Sequence, residues 1–231
     1  MKKIQYDMMQ ENGIARITMD DNKANAMDDV FFKELQQVLD QAEKDQPKIV
    51  LIKGRPGYFS GGLHLKYMMT LSQDELVQFV TQFARAMLRI YTLPVPTVAM
   101  VTGHAIAGGA MLAFACEQRF IVRGSYTVQM NETLLGISLP SWMLLIAGEA
   151  IPLQWQSEVL LHARSYTPEE IVEKEIFNGF LEGGERMMET LLPSIEPLLA
   201  INPKAYAATK NRMRPPEAID RVLAVLKDEI G

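Results

Sequence analysis

The chain has 231 residues and a mass of 26.0 kDa, long for one domain and short for two, so one core with a small appended piece is expected. Its 48% hydrophobic and 22% charged residues are a globular composition that excludes a disordered chain, and 15 glycines with 12 prolines exclude a collagen-like one. A net charge of −5 and a pI near 5.3 argue against a nucleic-acid-binding surface, although a few local donors would suffice for a phosphorylated small ligand.

The segments Ile4 to Met9 and Ile14 to Met19 flank Asn12-Gly13, and the alternation of Ala15, Ile17 and Met19 with polar neighbours predicts a β-hairpin. These opening residues carry two lysines but no apolar run, so no signal peptide is expected. A helix is predicted from Asp28 to Lys44, where Phe31, Leu35, Val38, Leu39 and Ala42 recur at helical spacing and Pro47 stops it. Ile49 to Ile52 reads as a short buried strand, followed by the glycine-dense loop GRPGYFSGGLHL. Ser72-Gln73-Asp74-Glu75 is a capping box, and Leu76, Phe79, Val80, Phe83, Met87 and Ile90 give the helix behind it one apolar face. Pro94 and Pro96 end that region, and Thr97 to Val101 reads as the next buried strand. The recurring order of strand, loop and helix predicts parallel βα units.

The most apolar stretch, Val98 to Cys116, contains Thr102, Gly103, His104 and Gly108-Gly109 and lacks basic flanks, so a membrane span is not expected. A soluble cytoplasmic protein is. Beyond about residue 140 the pattern predicts only helices, with starts at Thr167-Pro168 and Asn202-Pro203. The chain therefore divides into an α/β core over residues 1–165 and a helical region over 166–231.

Several chemistries drop out. The lone cysteine, Cys116, permits no intrachain disulfide and reads as a buried inert thiol. GHAIAGG, residues 103–109, lacks the Lys-Ser/Thr end of a phosphate loop and the spacing of a dinucleotide fingerprint. Ser138 is followed by Leu139-Pro140, where a nucleophile elbow needs glycine. His64, His104 and His162 have no metal-ligand spacing, so no metal is expected. What remains is two glycine-rich turns, each after a predicted buried strand: residues 58–65, YFSGGLHL, and residues 103–110, GHAIAGGA. Glycines let backbone N–H groups approach an oxygen, and a helix starting just after such a turn adds its dipole. Two converging N–H groups would form an oxyanion hole, able to supply roughly 3–4 kcal/mol per donor to a developing enolate.

With Gly13 to Met19, Asn25-Ala26-Met27, Asn131 to Gly136 and Ala207 to Lys210, these turns form an ordered set that resembles the crotonase (enoyl-CoA hydratase/isomerase) family over most of the chain. The resemblance implies a spiral of βα repeats with a C-terminal helical region that mediates trimer formation, hence a homotrimer or a dimer of trimers. It implies that the oxyanion donors are the backbone N–H groups of Leu63 and Gly108. It implies a coenzyme A thioester as substrate and no separate cofactor, with Lys23, Asn25, Ala26 and Gly61 near the coenzyme A end and Lys66 within reach of a phosphate.

Two positions depart from the family's pattern. Hydratases of the family carry two glutamates; here the first position is Met111 and the second is retained as Glu132. A thioether moves no proton, and a lost general acid/base costs about 10²–10⁴ in rate. At His64 an aspartate is usual, so an imidazole beside the thioester is one reading and a histidine outside the site the other. One surviving carboxylate, expected to be buried and alone among the reacting carbons, fits 3-enoyl-CoA to 2-enoyl-CoA isomerisation. The alternatives are 2-enoyl-CoA hydration with His64 or His104 as acid, decarboxylation of a malonyl-type thioester, and a non-catalytic acyl-CoA-binding scaffold.

Overall fold

The structure, a computed structural model, describes residues 2–230; Met1 and Gly231, the outer ends of the two expected regions, lie outside the described residues. In chain order it contains β1 (Ile4–Met9), β2 (Ile14–Met19), α1 (Asp29–Asp45), β3 (Ile49–Lys53), β4 (Gly57–Ser60), α2 (Leu65–Met68), α3 (Gln73–Thr92), β5 (Thr97–Val101), β6 (Gly103–Ile106), α4 (Gly108–Ala115), β7 (Gln118–Val122) and β8 (Val128–Gln129). A 3-10 turn over Glu132–Leu135 follows, then α5 (Ser141–Ala150), α6 (Pro168–Glu173), β9 (Gly179–Leu181), α7 (Met187–Leu199), α8 (Pro203–Met213), α9 (Pro216–Ala224) and α10 (Leu226–Ile230). The hairpin, both expected strands and both long N-terminal helices stand where the periodicity puts them. Asp28 caps α1 by accepting the Phe31 N–H at 2.9 Å, and Ser72 with Glu75 closes its capping box.

The main sheet runs β1-β2-β3-β5-β7-β9, with only β1 and β2 antiparallel. Its central strands are buried on both faces, which is why they read as continuous apolar runs. Val50, Ile52, Ala99, Val101 and Ile121 face the larger core under α1, α3, α4 and α5. Their neighbours Ile49, Leu51, Val98, Met100 and Phe120 face a second core closed by Leu191 and Ile195 of α7. The apolar stretch from Val98 to Cys116 is thus β5, β6 and α4, all interior, and no described helix is long and apolar enough to cross a membrane.

Two expectations need correction. The segment after residue 140 is not purely helical: β9 pairs in parallel with β7, joining Phe120 to Gly179 and Val122 to Leu181, so the main sheet extends past residue 166. Three residues with a glycine at the start carry too little pattern to announce a strand; the edge of β7 supplies the partner. The glycine turns, expected as loops, each begin with a strand. β4, β6 and β8 form a second parallel sheet, so each repeat is strand, short strand, helix. A Cβ on Gly103 would lie 2.0 Å from the Gly57 carbonyl carbon, so only glycine permits this approach.

Arg119 ties the second half together. It is 7% exposed and donates to three carbonyls: Cys116 at 2.6 Å, Ile176 at 3.1 Å and Ala150 at 3.4 Å. Cys116 and Ala150 stand at the C-terminal ends of α4 and α5, where carbonyl dipoles favour a cation, and burial still pulls the guanidinium down to about 10. Arg119→Leu would strand three buried acceptors, and we expect it to lower stability by about 3 kcal/mol or more, read as a fall in the urea midpoint.

Candidate active site

A cavity of about 510 Å³ opens between the two glycine turns, α3, the segment 131–143 and α10. The turns touch. A Cβ on Gly62, whose φ is +82°, would lie 2.8 Å from the Ile106 oxygen and 3.0 Å from the Gly108 nitrogen. Gly109 is pressed as closely on Ser60, where a Cβ would meet the carbonyl oxygen at 2.1 Å. Ser60 in turn donates to the Asn25 oxygen at 2.7 Å and accepts the Gly62 N–H at 3.1 Å.

Both expected donors line this cavity. Around Leu63 the chain runs beside Met27 as an isolated parallel bridge, with Met27 N–H donating to Gly62 O at 2.9 Å and His64 N–H donating to Met27 O at 2.8 Å. Successive N–H groups of extended backbone point to opposite sides, so that of Leu63 points away from Met27. Gly108 is the first residue of α4, so its N–H has no acceptor within the helix. Ala107 before it has φ +50° and ψ −120°, a conformation that costs a non-glycine residue of order 1–3 kcal/mol and aims the following N–H.

Glu132, the first residue of the 3-10 turn, faces the same cavity and is 7% exposed. Its Oε2 has no hydrogen-bond partner. Burial raises its pKa from 4.5 to about 6, against an opposing hydrogen bond from its own N–H. The turn closes on Gly136 at φ +73°, whose neighbour Ile137 donates to the Glu132 carbonyl at 2.9 Å.

The other expected residues are placed as follows. Gly61 lines the cavity, and its N–H donates to Ala24 O at 2.8 Å, so the loop carrying Lys23, Asn25 and Ala26 abuts the rim. Lys23 is exposed and Ala26 half-buried, and neither lines the cavity. Asn25 is a buried staple: Nδ2 donates to Met19 O at 3.0 Å and Phe59 O at 3.1 Å, and Oδ1 accepts the Asp21 N–H at 3.0 Å. Lys66 is exposed on α2 between Leu65 and Met68, which do line the cavity. Met111 is wholly buried in the larger core and does not reach the cavity wall.

His64 does not line the cavity either. Its Nδ1 accepts the Tyr67 N–H at 3.0 Å, so the ring caps α2, a task to which an aspartate is equally suited. His104 sits between the rings of Tyr58 and Tyr126 with Nδ1 accepting the Thr127 N–H at 3.1 Å. Neither histidine lines the cavity. Cys116 is buried and its thiol is pushed up to about 12. Among the described residues no group of His, Cys, Asp or Glu is placed to hold a metal ion.

Sequence reasoning missed the cavity's far wall. Trp142 of α5 packs edge-on against Phe83 of α3, their rings 5.0 Å apart, and Phe83 in turn lies against Gly108. Glu229 and Ile230 of α10 complete the wall. The cavity wall therefore carries a second carboxylate besides Glu132, one that the sequence reading does not anticipate. No local pattern near residue 229 could signal this, because the contact spans 88 positions from Ser141 to Glu229.

The Enoyl-CoA hydratase/isomerase family model matches residues 9–229. Human "Enoyl-CoA delta isomerase 1, mitochondrial" is 27% identical over 205 residues, which is 87% of this chain and 68% of that protein. Mouse "Enoyl-CoA hydratase domain-containing protein 2, mitochondrial" is 37% identical over 128 residues, 54% of this chain and 43% of that protein. The chain thus spans between 43% and 68% of the length of these relatives. Among solved structures, an enoyl-CoA hydratase/isomerase family protein from Pseudomonas syringae superposes with a TM-score of 0.89 at 26% identity, covering 99% of this chain and 96% of the other.

The raised pKa of Glu132 has a consequence for stability. The folded protein holds this proton between about pH 4.5 and 6 while the unfolded chain releases it, so the group's contribution falls as pH rises through that window. Above about pH 6 the buried charge is a standing cost, on the order of 2 kcal/mol. Glu132→Gln should therefore be more stable than the parent at pH 8 by up to that amount, with the gap closing by pH 4.5, in paired urea titrations.

Proposed function

Because the chain belongs to the enoyl-CoA hydratase/isomerase family, with its crotonase fold, we propose that it isomerises 3-enoyl-CoA to 2-enoyl-CoA with Glu132 as the single base. The observation that carries this reading is a buried carboxyl with an unpartnered oxygen, in one cavity with two backbone N–H groups. In the proposed reaction the Glu132 carboxylate takes a proton from C2 of the thioester. The electron pair moves onto the thioester oxygen, which the N–H groups of Leu63 and Gly108 hold as an enolate. The carboxylic acid so formed returns the proton at C4, and the double bond ends conjugated with the carbonyl. One base suffices, and the reaction needs no metal or prosthetic group, coenzyme A being part of the substrate.

Hydration would need a second proton-moving group. Met111 supplies none, and Glu229 has both oxygens engaged by Ser141. The likeness of 87% of the chain to a protein named as an enoyl-CoA delta isomerase supports the same choice. We further infer a homotrimer or a dimer of trimers: Leu134, Leu153 and Leu161 are 69%, 82% and 65% exposed, apolar area that a second copy would cover.

Glu132→Gln keeps the shape and removes the base, so turnover of 3-hexenoyl-CoA should fall by at least about 10²-fold with KM little changed. In the parent, kcat/KM should rise with pH through an apparent pKa of about 6 and then level off, because the base acts ionised. Full activity in Glu132→Gln, or brisk hydration without isomerisation, would overturn the mechanism; acyl-CoA binding without turnover of any thioester would favour a scaffold. Light scattering should give three or six times the chain mass, and a monodisperse monomer at micromolar concentration contradicts the assembly.

A further inference from the structure

Two carboxylates line the cavity, Glu132 from the 3-10 turn and Glu229 from α10, and among the described residues no lysine, arginine or histidine lines it. Glu229 is held in place. Its Oε2 accepts the Ser141 backbone N–H at 3.0 Å and its Oε1 accepts the Ser141 hydroxyl proton. Ser141 is the first residue of the ten-residue α5, and Pro140 before it makes no side-chain capping bond, so a carboxylate from the end of the chain performs the capping. Negative charge is favoured at that helix start. Leu226, one turn before Glu229, is 1% exposed in the larger core and pins α10 to the wall.

We propose that Glu229 is a specificity-determining residue, whose charge in the acyl cavity restricts the substrate to thioesters of uncharged acyl groups and excludes dicarboxylyl thioesters. The inference rests on the acyl-CoA reading and narrows its substrate class. A chain ending in a carboxylate would bring a third anion into about 510 Å³ with no cation to meet it. It would lose its hydration against walls such as Val80, Phe83 and Trp142, and like charges confined behind apolar walls are weakly screened. An uncharged chain meets the same walls without either penalty. The restriction also removes malonyl-type thioesters, and with them the decarboxylation alternative.

Equilibrium binding of saturated thioesters, which cannot be turned over by isomerisation, tests this by calorimetry on the whole chain. Hexanoyl-CoA should bind at least about tenfold more tightly than glutaryl-CoA, and the methyl ester of glutaryl-CoA should recover most of that difference. Glu229→Gln keeps an oxygen for Ser141 and removes the charge, so the hexanoyl-to-glutaryl ratio should shrink at least threefold. Equal affinity for the two in the parent, an ester that binds as poorly as the acid, or an unchanged ratio in folded Glu229→Gln each overturns the proposal. The ester comparison needs no variant and stands if Glu229→Gln fails to fold. Failure of all three thioesters to bind, the uncharged one included, overturns the acyl-CoA reading and this proposal with it.

Discussion

The turn at residues 61–63 and the turn at residues 106–108 meet backbone to backbone, and the site is arranged around that contact. Gly62 and Gly109 leave no room for a Cβ, so the two segments approach to the distance at which a backbone nitrogen of each can serve one cavity. The parallel pairing of β4 with β6 sets their relative height. Asn25 and Ser60 then bind the first turn to the hairpin side of the molecule, and Gln129, whose carbonyl accepts the Ala107 N–H at 2.7 Å, binds the second to β8. The strain at Ala107 is the local cost of that arrangement, and it persists because hydrogen bonds on both sides overdetermine it.

Two glutamates in one cavity illustrate how surroundings divide roles. Glu132 has an oxygen without a partner and sits in an environment that favours its neutral form, which is the basis of the proton-transfer role proposed for it. Glu229 spends both oxygens on the start of α5, so it serves the architecture and the charge of the wall. The residue type is the same. The hydrogen-bond partners make the difference.

His64 and Asn25 are polar residues at motif positions whose side chains bond to the backbone. Both side chains satisfy backbone groups: His64 caps a four-residue helix, and Asn25 donates to the carbonyls of Met19, Tyr58 and Phe59 and accepts one N–H. Irregular backbone near a cavity has many donors and acceptors outside regular ladders, and short polar side chains are what satisfies them.

Local chemistry was enough to place the hairpin, α1, α3, β3 and β5, because each is announced by periodicity, a cap or a turn signal spanning fewer than twenty residues. The motif set was enough for the family, and it singled out Glu132 and the two turns, which the fold brings to one cavity, because these are ordered features of one continuous chain. The second sheet was hidden: strands of four residues or fewer, two of them opening with glycine, have no pattern of their own and exist only through one another. The far wall was hidden for the same reason at longer range. Phe83, Trp142 and Glu229 come from α3, α5 and α10, and only the packing of those helices decides that they share a cavity. Sequence determines what a segment does with its near neighbours; which distant segments then meet is decided by burial and hydrogen-bond pairing, which close only in three dimensions.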